Sequence, residues 1–335
     1  MQVYGIDLSM EKFDVSYVDE NGKEMTKKVK NDLGSISKFL HTVPEEAVLC
    51  AEHTGVYGDL LVFLSKQVGI KIALSSGYNI KHSLGMTKGK SDPIDSTRIR
   101  EYGERFYDKL VFNEQDKEEM IELKSLYTLR SQLVRARKVL RTGEHSCSKK
   151  TMQSIIEKRH RDTALDSLDA EINAIEAEMD AIIKTNSELN ENYRLATSVK
   201  GIGPIIATDL IIKTGNFKTI DTAQKAASYA GVCPFPNESG KMKGKPKTSM
   251  FADRKLKTLL YMAAKTIVKH NKEYRLYYQR KQMEGKHHFL IMNNVSNKML
   301  RTIYSVIKSK IPYRQDYICL DPRERSLTSS TKKVA

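Results

Sequence analysis

The stretch VYGIDLSMEKFDVSYVDENGKEMTKKVK, residues 3–30, decides the fold of the N-terminal part of the chain. Its first segment, residues 3–7, has the pattern of a short buried strand. Residues 13–18 alternate between apolar and polar side chains with the period of two that a strand requires. Asn21-Gly22 then supplies a hairpin turn into residues 23–30. The stretch therefore predicts three consecutive strands.

The pattern that follows alternates between helix and strand. It predicts helices at residues 34–42, 57–68 and 92–106, and strands at residues 47–52 and 70–74. Three strands, a helix and then alternating elements are typical of an α/β arrangement of layers around one mixed sheet. We therefore expect an α/β domain over residues 1–107.

The middle of the chain, residues 108–195, has a different periodicity. Two sets of apolar residues repeat at 3-4 spacing, which predicts a coiled coil or an antiparallel helix pair. The first set is Leu126, Leu129, Leu133, Ala136 and Leu140; the second is Leu165, Leu168, Ile172, Ile175, Met179 and Ile182. Residues 143–150 are interpreted as the break between the helices. The pattern leaves open an intrachain helical hairpin and a dimerisation arm.

The remaining part, residues 196–320, is predicted to be mostly helical. Residues 200–204, Lys-Gly-Ile-Gly-Pro, resemble the loop of a helix-hairpin-helix, whose amides can hold a backbone phosphate. Helices are expected at residues 205–213, 222–230, 252–271 and 289–309, with a loop at residues 231–240. Residues 321–335 are polar and are expected to form a loosely ordered tail.

The charge is distributed unevenly over these parts. The 335 residues contain 56 Lys and Arg against 41 Asp and Glu, for a net charge of +15. Residues 1–107 have a net charge of −1, residues 108–195 of −2 and residues 196–335 of +18. A surplus confined to one part of the chain favours contact with phosphates, and so predicts a nucleic-acid partner.

Composition excludes several other classes of protein. The hydrophobic content of 40% and the charged content of 29% argue against a disordered chain, and no apolar run is long enough to span a bilayer. The N-terminus enters a strand pattern directly, so we expect no signal peptide. The four cysteines are far apart in sequence, which predicts neither a zinc cage nor disulfides. The expected location is the cytoplasm.

Four carboxylates occupy positions where an α/β fold would bring them together. Asp7 ends the first predicted strand, Glu52 ends the fourth, and Asp92 and Asp95 lie on one face of the helix that Pro93 opens. Such a group would repel itself unless cations lay within it, which predicts two Mg²⁺ ions about 3.5–4 Å apart. Taken singly, Asp92 would be a helix N-cap, Asp7 a turn residue and Glu52 an exposed side chain.

Motifs along nearly the whole chain resemble the DEDD-type insertion-sequence transposases, a group of bridge-RNA-guided DNA recombinases related to a pilin-gene invertase. In the first part the motifs are Gly5-Ile6-Asp7, Glu52-x-Thr54-Gly55-x-Tyr57 and Lys90-x-Asp92-x-x-Asp95. Further along they are Gly201-Ile202-Gly203, Ala230-Gly231-x-x-Pro234, Glu238-Ser239-Gly240, Leu256-x-x-Leu259-Leu260 and Lys308-Ser309-x-Ile311-Pro312.

The resemblance implies a RuvC-like (RNase H-like) fold for the first domain, with Asp7, Glu52, Asp92 and Asp95 binding Mg²⁺, or Mn²⁺ in its place. It implies that Ser239 is the catalytic serine, which attacks the DNA backbone and forms a covalent phosphoserine link. It further implies a structured guide RNA that pairs with donor and target DNA. The implied assembly is a homodimer that forms a tetramer.

Candidate nucleic-acid contacts come from three segments. Lys200, Gly201 and Gly203 belong to the loop that resembles a helix-hairpin-helix, and Arg135 and Lys138 lie on the first helix of the middle part. A basic run follows Ser239 and consists of Lys241, Lys243, Lys245 and Lys247. These lysines would contact phosphates as point charges rather than as bidentate groups.

Three hypotheses for function remain at this point. The first is a transposase or site-specific recombinase with Ser239 as nucleophile. The second is a metal nuclease of the Holliday-junction type that uses activated water and forms no covalent adduct. The third is a nucleic-acid-binding assembly protein whose carboxylates have no catalytic role.

Overall fold

A computed structural model describes residues 2–83, 85, 92–112, 118–147, 154–240 and 242–314. The chain forms two compact units, Met1–Asp116 and Lys117–Ala335. The finer boundaries at residues 107, 195 and 320 stay predictions. Within the described ranges, no helix is both long and apolar enough to cross a membrane.

The first unit is built on a five-stranded mixed sheet. Its strands are β1 (Val3–Leu8), β2 (Lys12–Val18), β3 (Glu24–Lys30), β4 (Val48–Glu52) and β5 (Lys71–Ser75). Its helices are α1 (Leu33–Leu40), α2 (Asp59–Gln67), α3 (Gly77–Ser83) and α4 (Asp92–Arg105), with 3₁₀ turns at Gly55–Gly58 and Tyr107–Lys109. The predicted elements of this unit are confirmed to within about two residues, and only α3 and the short turns were missed.

The strand order is β3-β2-β1-β4-β5. The β1–β2 and β2–β3 pairs are antiparallel, whereas the β1–β4 and β4–β5 pairs are parallel. The predicted mixed α/β layer is thus confirmed. Because β1 and β4 are parallel neighbours, their carboxyl ends meet at the same edge of the sheet.

The two faces of this sheet have different cores. One face buries Ile6, Phe13, Val15 and Leu49 in a cluster that includes the apolar side of α1. The other face buries Val3 and Cys50 with residues of α4. The sheet therefore has helices on both faces, and α4 covers the face opposite α1.

Gly5 explains how closely α4 approaches β1. A Cβ atom at position 5 would lie 2.2 Å from the carbonyl oxygen of Ser96 and 2.3 Å from the amide nitrogen of Arg100. Real Cβ atoms do not come that near to backbone atoms, so only glycine allows the backbone of α4 to rest directly on the strand.

The second unit is mostly helical and carries one small hairpin. Its helices are α5 (Glu118–Cys147), α6 (Ile155–Thr185), α7 (Ser187–Ser198), α8 (Pro204–Lys213), α9 (Ala223–Tyr229), α10 (Arg254–His270), α11 (Lys272–Met283) and α12 (His288–Ser309). Its strands are β6 (Phe235–Ser239) and β7 (Met242–Lys247), which pair in antiparallel orientation. Helix α11 was not predicted, because its sequence is largely polar and shows weak apolar periodicity.

Helices α5 and α6 form an intrachain antiparallel hairpin, one of the two alternatives that the heptads left open. Arg130 Nε lies 2.6 Å from Glu176, and Arg141 lies 3.0 Å from Asp169. As residue numbers rise on α5 they fall on α6, which fixes the antiparallel direction. Both helices contribute to the same apolar core as α7–α10 and α12.

Three details of the middle part were predicted wrongly. The break was placed at residues 143–150, but α5 continues through Cys147. Leu129 was placed in the apolar seam but is exposed, and Ala136 is exposed as well. The reason is that α5 begins at Glu118, so its buried stripe starts earlier and passes through other positions. The buried residues of this stripe are Met120, Leu123 and Tyr127.

The segment at residues 231–240 was predicted to be a loop, but residues 235–239 form β6. All five side chains of β6 are exposed. A strand that buries no side chains in a core does not require alternating apolar residues. The Pro, Asn and Ser residues of β6 are therefore those typical of a loop.

Candidate carboxylate site and serine hairpin

Asp7 and Glu52 are adjacent at one edge of the sheet. Ile6 pairs with Ala51 in the parallel register of β1 and β4, so Asp7 and Glu52 are the next residues on the two strands. Both are half-buried. The expectation that these strand ends are neighbours is confirmed.

Both carboxylates lie on the face of the sheet that α4 covers. The Cβ direction of Gly5 points at Arg100 of α4, and a Cβ on Gly103 of α4 would lie 3.0 Å from Cβ of Cys50. Asp7 is two residues after Gly5, and Glu52 is two residues after Cys50. Side chains two residues apart in a strand lie on the same face of the sheet. The fold therefore directs both side chains toward the side of the sheet that holds Asp92 and Asp95.

The first turn of α4 contains the other two predicted carboxylates. Asp92 is the first residue of this helix, but its side chain is outside the described residues. Asp95 is half-buried, and one of its oxygens lies 3.0 Å from Arg98. A basic partner one turn away compensates part of the negative charge of Asp95.

Helix α4 is held in place by the buried Arg100. Its guanidinium lies 2.8 Å from Glu104 and 2.5 Å from Glu24, and it donates a hydrogen bond of 3.3 Å to the Ser16 hydroxyl of β2. A second contact of 3.2 Å joins Ser16 to Thr97. The Ser16 contacts attach the helix to β2, the Glu24 contact attaches it to β3, and the Glu104 contact lies within α4.

Asp14 is a further carboxylate near this site, and it was not among those predicted from the sequence. This residue pairs with Asp7 in the antiparallel register of β1 and β2, and its side chain is only 4% exposed. It is two residues before Ser16, whose hydroxyl contacts α4, so it lies on the same face as Asp7. A charged residue between Phe13 and Val15 in a buried strand is unusual, and this feature of the sequence could have identified Asp14 as a candidate.

Gly77 leaves room for the carboxylate of Glu52. A Cβ atom on this first residue of α3 would lie 2.1 Å from Oε1 and 2.9 Å from Cδ of Glu52. The Glu52 side chain therefore rests against the backbone of α3, and any side chain at position 77 would displace it.

The donor set at this edge is made of oxygen atoms. Carboxylates are the ligands that Mg²⁺ and Mn²⁺ prefer, so the residue types fit a hard divalent cation. Across the described residues, no three His, Cys, Asp or Glu side chains are grouped closely enough to hold a metal ion. The side chain of Asp92 is outside the described residues, so the metal site with all four carboxylates stays a prediction.

Ser239 lies at the tip of the β6–β7 hairpin in the second unit. It pairs with Met242 of β7, and Gly240, which follows it, has a φ of +55°. Its side chain is exposed, as are its neighbours on β6. The serine therefore lies at the exposed end of a strand, where a large substrate has access.

The predicted phosphate contacts are spread over the second unit. Lys247 on β7 is exposed, and so are Arg135 and Lys138 on α5. The backbones of Lys243 and Lys245 belong to β7, but their side chains, like the whole of Lys241, are outside the described residues. Their roles in binding stay predictions.

The loop between α7 and α8 has a structural reason for its glycines. Gly201 has a φ of +91°, and a Cβ there would lie 3.0 Å from the carbonyl oxygen of Ala263. Gly203 is the N-cap of α8, with Pro204 in the first turn. Lys200 is half-buried beside this loop. Packing accounts for Gly201, and phosphate binding by the loop stays a prediction.

Comparison with known proteins assigns the class. Residues 4–145 match a family described as a DEDD transposase of the IS110 type, and residues 193–279 match the transposase IS116/IS110/IS902 family. The first match covers the sheet with its carboxylates, and the second covers the serine hairpin. In both parts the chain is thus similar to transposases of the IS110 type.

Individual relatives are distant. The pilin gene-inverting protein of Moraxella lacunata is 25% identical over 92% of this chain and 96% of its own length. An insertion element IS900 protein of 42 kDa from Mycobacterium paratuberculosis is 26% identical over 45% of this chain. An insertion element IS116 protein from Streptomyces clavuligerus is 27% identical over 39% of this chain. The matches span 39% and 35% of the lengths of these two insertion-element proteins.

Proposed function

We propose that this chain is a DNA recombinase that cuts DNA strands and rejoins them to new partners, as a transposase or an invertase does. The observation that carries the proposal is the adjacency of Asp7 and Glu52 on parallel strands, on the sheet face covered by α4. The matches to two transposase family models support it, and so does the match to a protein named for gene inversion over nearly its whole length.

The carboxylates would hold two divalent cations, Mg²⁺ or Mn²⁺ in its place. Asp7 and Glu52 would bind from the sheet edge, and Asp92 and Asp95 from the first turn of α4. When bound, the cations would lower the energy of the charged transition state at the scissile phosphate. The protein's part would be to bring these oxygens together against their mutual repulsion, and the contacts of Arg100 of α4 with Glu24 of β3 and Ser16 of β2 support that role.

Ser239 would be the nucleophile. Its Oγ would attack the phosphorus, so that a P–Oγ bond forms while the bond from phosphorus to one deoxyribose oxygen breaks. The serine proton is given up, and the released sugar oxygen is protonated. Attack by a hydroxyl of another strand on the phosphoserine would reverse these events and regenerate Ser239, so no external energy source is needed.

The proposed partners are donor and target DNA, together with a structured guide RNA. The net charge of +18 over residues 196–335 supports binding of polyanions by the second unit. A homodimer that assembles to a tetramer is the proposed oligomer. The site of action would be the cytoplasm, at the nucleoid.

The test is to trap the covalent intermediate. Radiolabelled element DNA, guide RNA and Mg²⁺ are incubated with the full chain, and DNA-bound protein is sought on a denaturing gel. We expect an adduct with the wild type, none with Ser239→Ala, and none with Asp7→Asn or with EDTA. Ser305→Ala, which changes another exposed serine of the second unit, is the matched control.

Two results would contradict the proposal. Adduct formation by Ser239→Ala at the wild-type level would exclude the serine role. Metal-dependent cleavage without any adduct would instead indicate a nuclease that uses activated water.

A further inference from the structure

An aromatic cluster lies on the surface of the second unit, where α10, α11 and α12 meet. At its centre, the His288 ring is held by two tyrosines. Tyr261 Oη is 2.9 Å from Nε2, and Tyr278 Oη is 2.8 Å from Nδ1. Because both ring nitrogens have hydroxyl partners, the imidazole cannot rotate without breaking a hydrogen bond.

Phe289 and His287 extend this cluster outward. The Phe289 ring centroid is 5.9 Å from that of Tyr261 and 5.6 Å from that of His287, with interplanar angles of 37° and 33°. Phe289 is 59% exposed. The five rings of Tyr261, Tyr278, His287, His288 and Phe289, here called the aromatic platform, thus form a packed and exposed aromatic surface with His288 held in place at its centre.

The surroundings of the platform are strongly basic. Residues 254–309, which span α10–α12, contain 13 Lys and Arg against two Glu. Lys257 and Lys265 are four residues before and after Tyr261 on α10, which places them on its side of the helix. Lys286 immediately precedes His287. In the described structure these three lysines form no ion pair, unlike Lys281, which lies 2.6 Å from Glu284.

We propose that the aromatic platform binds an unpaired nucleotide of a nucleic acid. A rigid exposed ring gives a base a surface on which to stack, and uncompensated lysines beside it would hold the flanking phosphates. In a duplex, the faces of the bases are already stacked on each other, so the platform selects single-stranded segments. The basic surroundings favour a polyanion over a second copy of this basic unit.

This inference rests on the proposed function for its nucleic acid, but adds a separate site. The platform belongs to α10–α12, whereas the proposed nucleophile belongs to the β6–β7 hairpin. Unpaired nucleotides have two sources in a recombinase of this kind, a loop of a structured RNA and a displaced DNA strand. Both offer the same base and phosphate chemistry.

The test compares oligonucleotides of one sequence in several forms. Fluorescence anisotropy with the full chain would use single-stranded RNA, single-stranded DNA and the fully paired DNA duplex. We expect Phe289→Ala to weaken binding of at least one single strand about tenfold, since loss of one stacked base has roughly that effect. Duplex binding should change less than about twofold. A loss confined to RNA or to DNA identifies the source.

Two further variants separate stacking from other effects. Leu276→Ala removes a side chain of α11 that is 55% exposed and outside the platform, and it should bind all three probes as the wild type does. Lys265→Gln should weaken binding and reduce its dependence on salt, because one phosphate contact is lost. Unchanged circular dichroism and thermal unfolding would show that Phe289→Ala is folded.

The results that would contradict this inference can be told apart from those that would contradict the recombinase proposal. Unchanged single-strand binding by folded Phe289→Ala would overturn this inference while leaving the recombinase proposal intact. Equal losses for single strands and duplex would overturn it as well, and so would loss of self-association without loss of nucleic-acid binding. A wild type that binds no nucleic acid in any form would overturn both.

Discussion

A Cβ atom on Gly77 would lie 2.1 Å from Oε1 of Glu52. Glu52 is the last residue of β4, and Gly77 is the first residue of the short helix that follows β5. Because Gly77 has no side chain, the carboxylate of Glu52 can occupy the space next to it. This relationship gives Gly77 a positioning role in the candidate metal site, although it has no chemical group of its own.

We expect Gly77→Ala to displace Glu52 and to lower Mg²⁺-dependent recombination at least tenfold. The new methyl group cannot share space with the carboxylate, so the glutamate must adopt another rotamer. Mg²⁺ binding, measured by calorimetry on the full chain, should weaken in parallel. Gly34→Ala is the control, because a Cβ there meets only an Asp32 oxygen at 3.7 Å. Wild-type metal affinity in Gly77→Ala would contradict the positioning role.

Gly5→Ala should destabilise the first unit. A Cβ at this position would be 2.3 Å from the Arg100 amide nitrogen, and the backbone of α4 cannot yield as a flexible side chain would. Overpacking of this kind costs about 1–3 kcal/mol in the free energy of unfolding. Urea unfolding measures the loss. By contrast, Gly34→Ala in α1 should stabilise by about 0.5–1 kcal/mol, so equal effects of the two substitutions would refute this account.

Asp14→Asn should raise the unfolding temperature in the absence of divalent cations and should reduce the further increase that Mg²⁺ causes. Asp14 and Asp7 are register partners on one face of the sheet, and like charges placed opposite each other are destabilising. Without metal, the variant should unfold at a higher temperature than the wild type. Added Mg²⁺ should raise that temperature less than in the wild type, because a nearby negative charge is gone. Thermal unfolding with Mg²⁺ and with EDTA tests both parts, and Asp59→Asn, an exposed carboxylate on α2, is the control.

Lys213→Met should strongly destabilise the second unit. The Lys213 ammonium is 3.0 Å from Asp209, which is fully buried, and 2.9 Å from Asp253. Removing it takes the ion-pair partner from a buried carboxylate, at a cost of about 3–5 kcal/mol. Chemical unfolding would measure this loss. Lys225→Met breaks an exposed pair with Asp221, and should cost under about 1 kcal/mol.

The same cluster should make stability depend on acid pH. Burial raises the pKa of Asp253, but the Leu256 amide and the Lys213 ammonium outweigh this effect, so the pKa is below its ordinary value. A lowered pKa means that the unfolded state binds the proton more tightly, so stability is lost as pH falls below about 4. Unfolding measured between neutral pH and pH values near 3 should show this loss. Asp253→Asn should show a smaller one, and an equal loss would exclude Asp253 as a cause.

Local patterns predicted elements well wherever each element has its own periodicity. The alternation in residues 13–18 and the apolar spacing in residues 57–68 are properties of short segments, and the structure has a strand and a helix there. The same reasoning failed for β6 and α11. Both are mostly exposed or polar, and a segment that buries little carries little periodic signal.

The sequence by itself was enough to predict which residues would carry the chemistry. Asp7 is the last residue but one of β1, Glu52 ends β4 and Asp92 begins α4 because of residues that are close to them in the chain. The motifs around them also sufficed to indicate the transposase family. Only the tertiary structure decided which of these residues are neighbours. The parallel pairing of β1 with β4 makes Asp7 adjacent to Glu52, the β1–β2 register adds Asp14, and the close approach of α3 places Gly77 against the Glu52 carboxylate. Such relationships join positions that are far apart in sequence, and depend on how strands pair and helices pack, which no local pattern records.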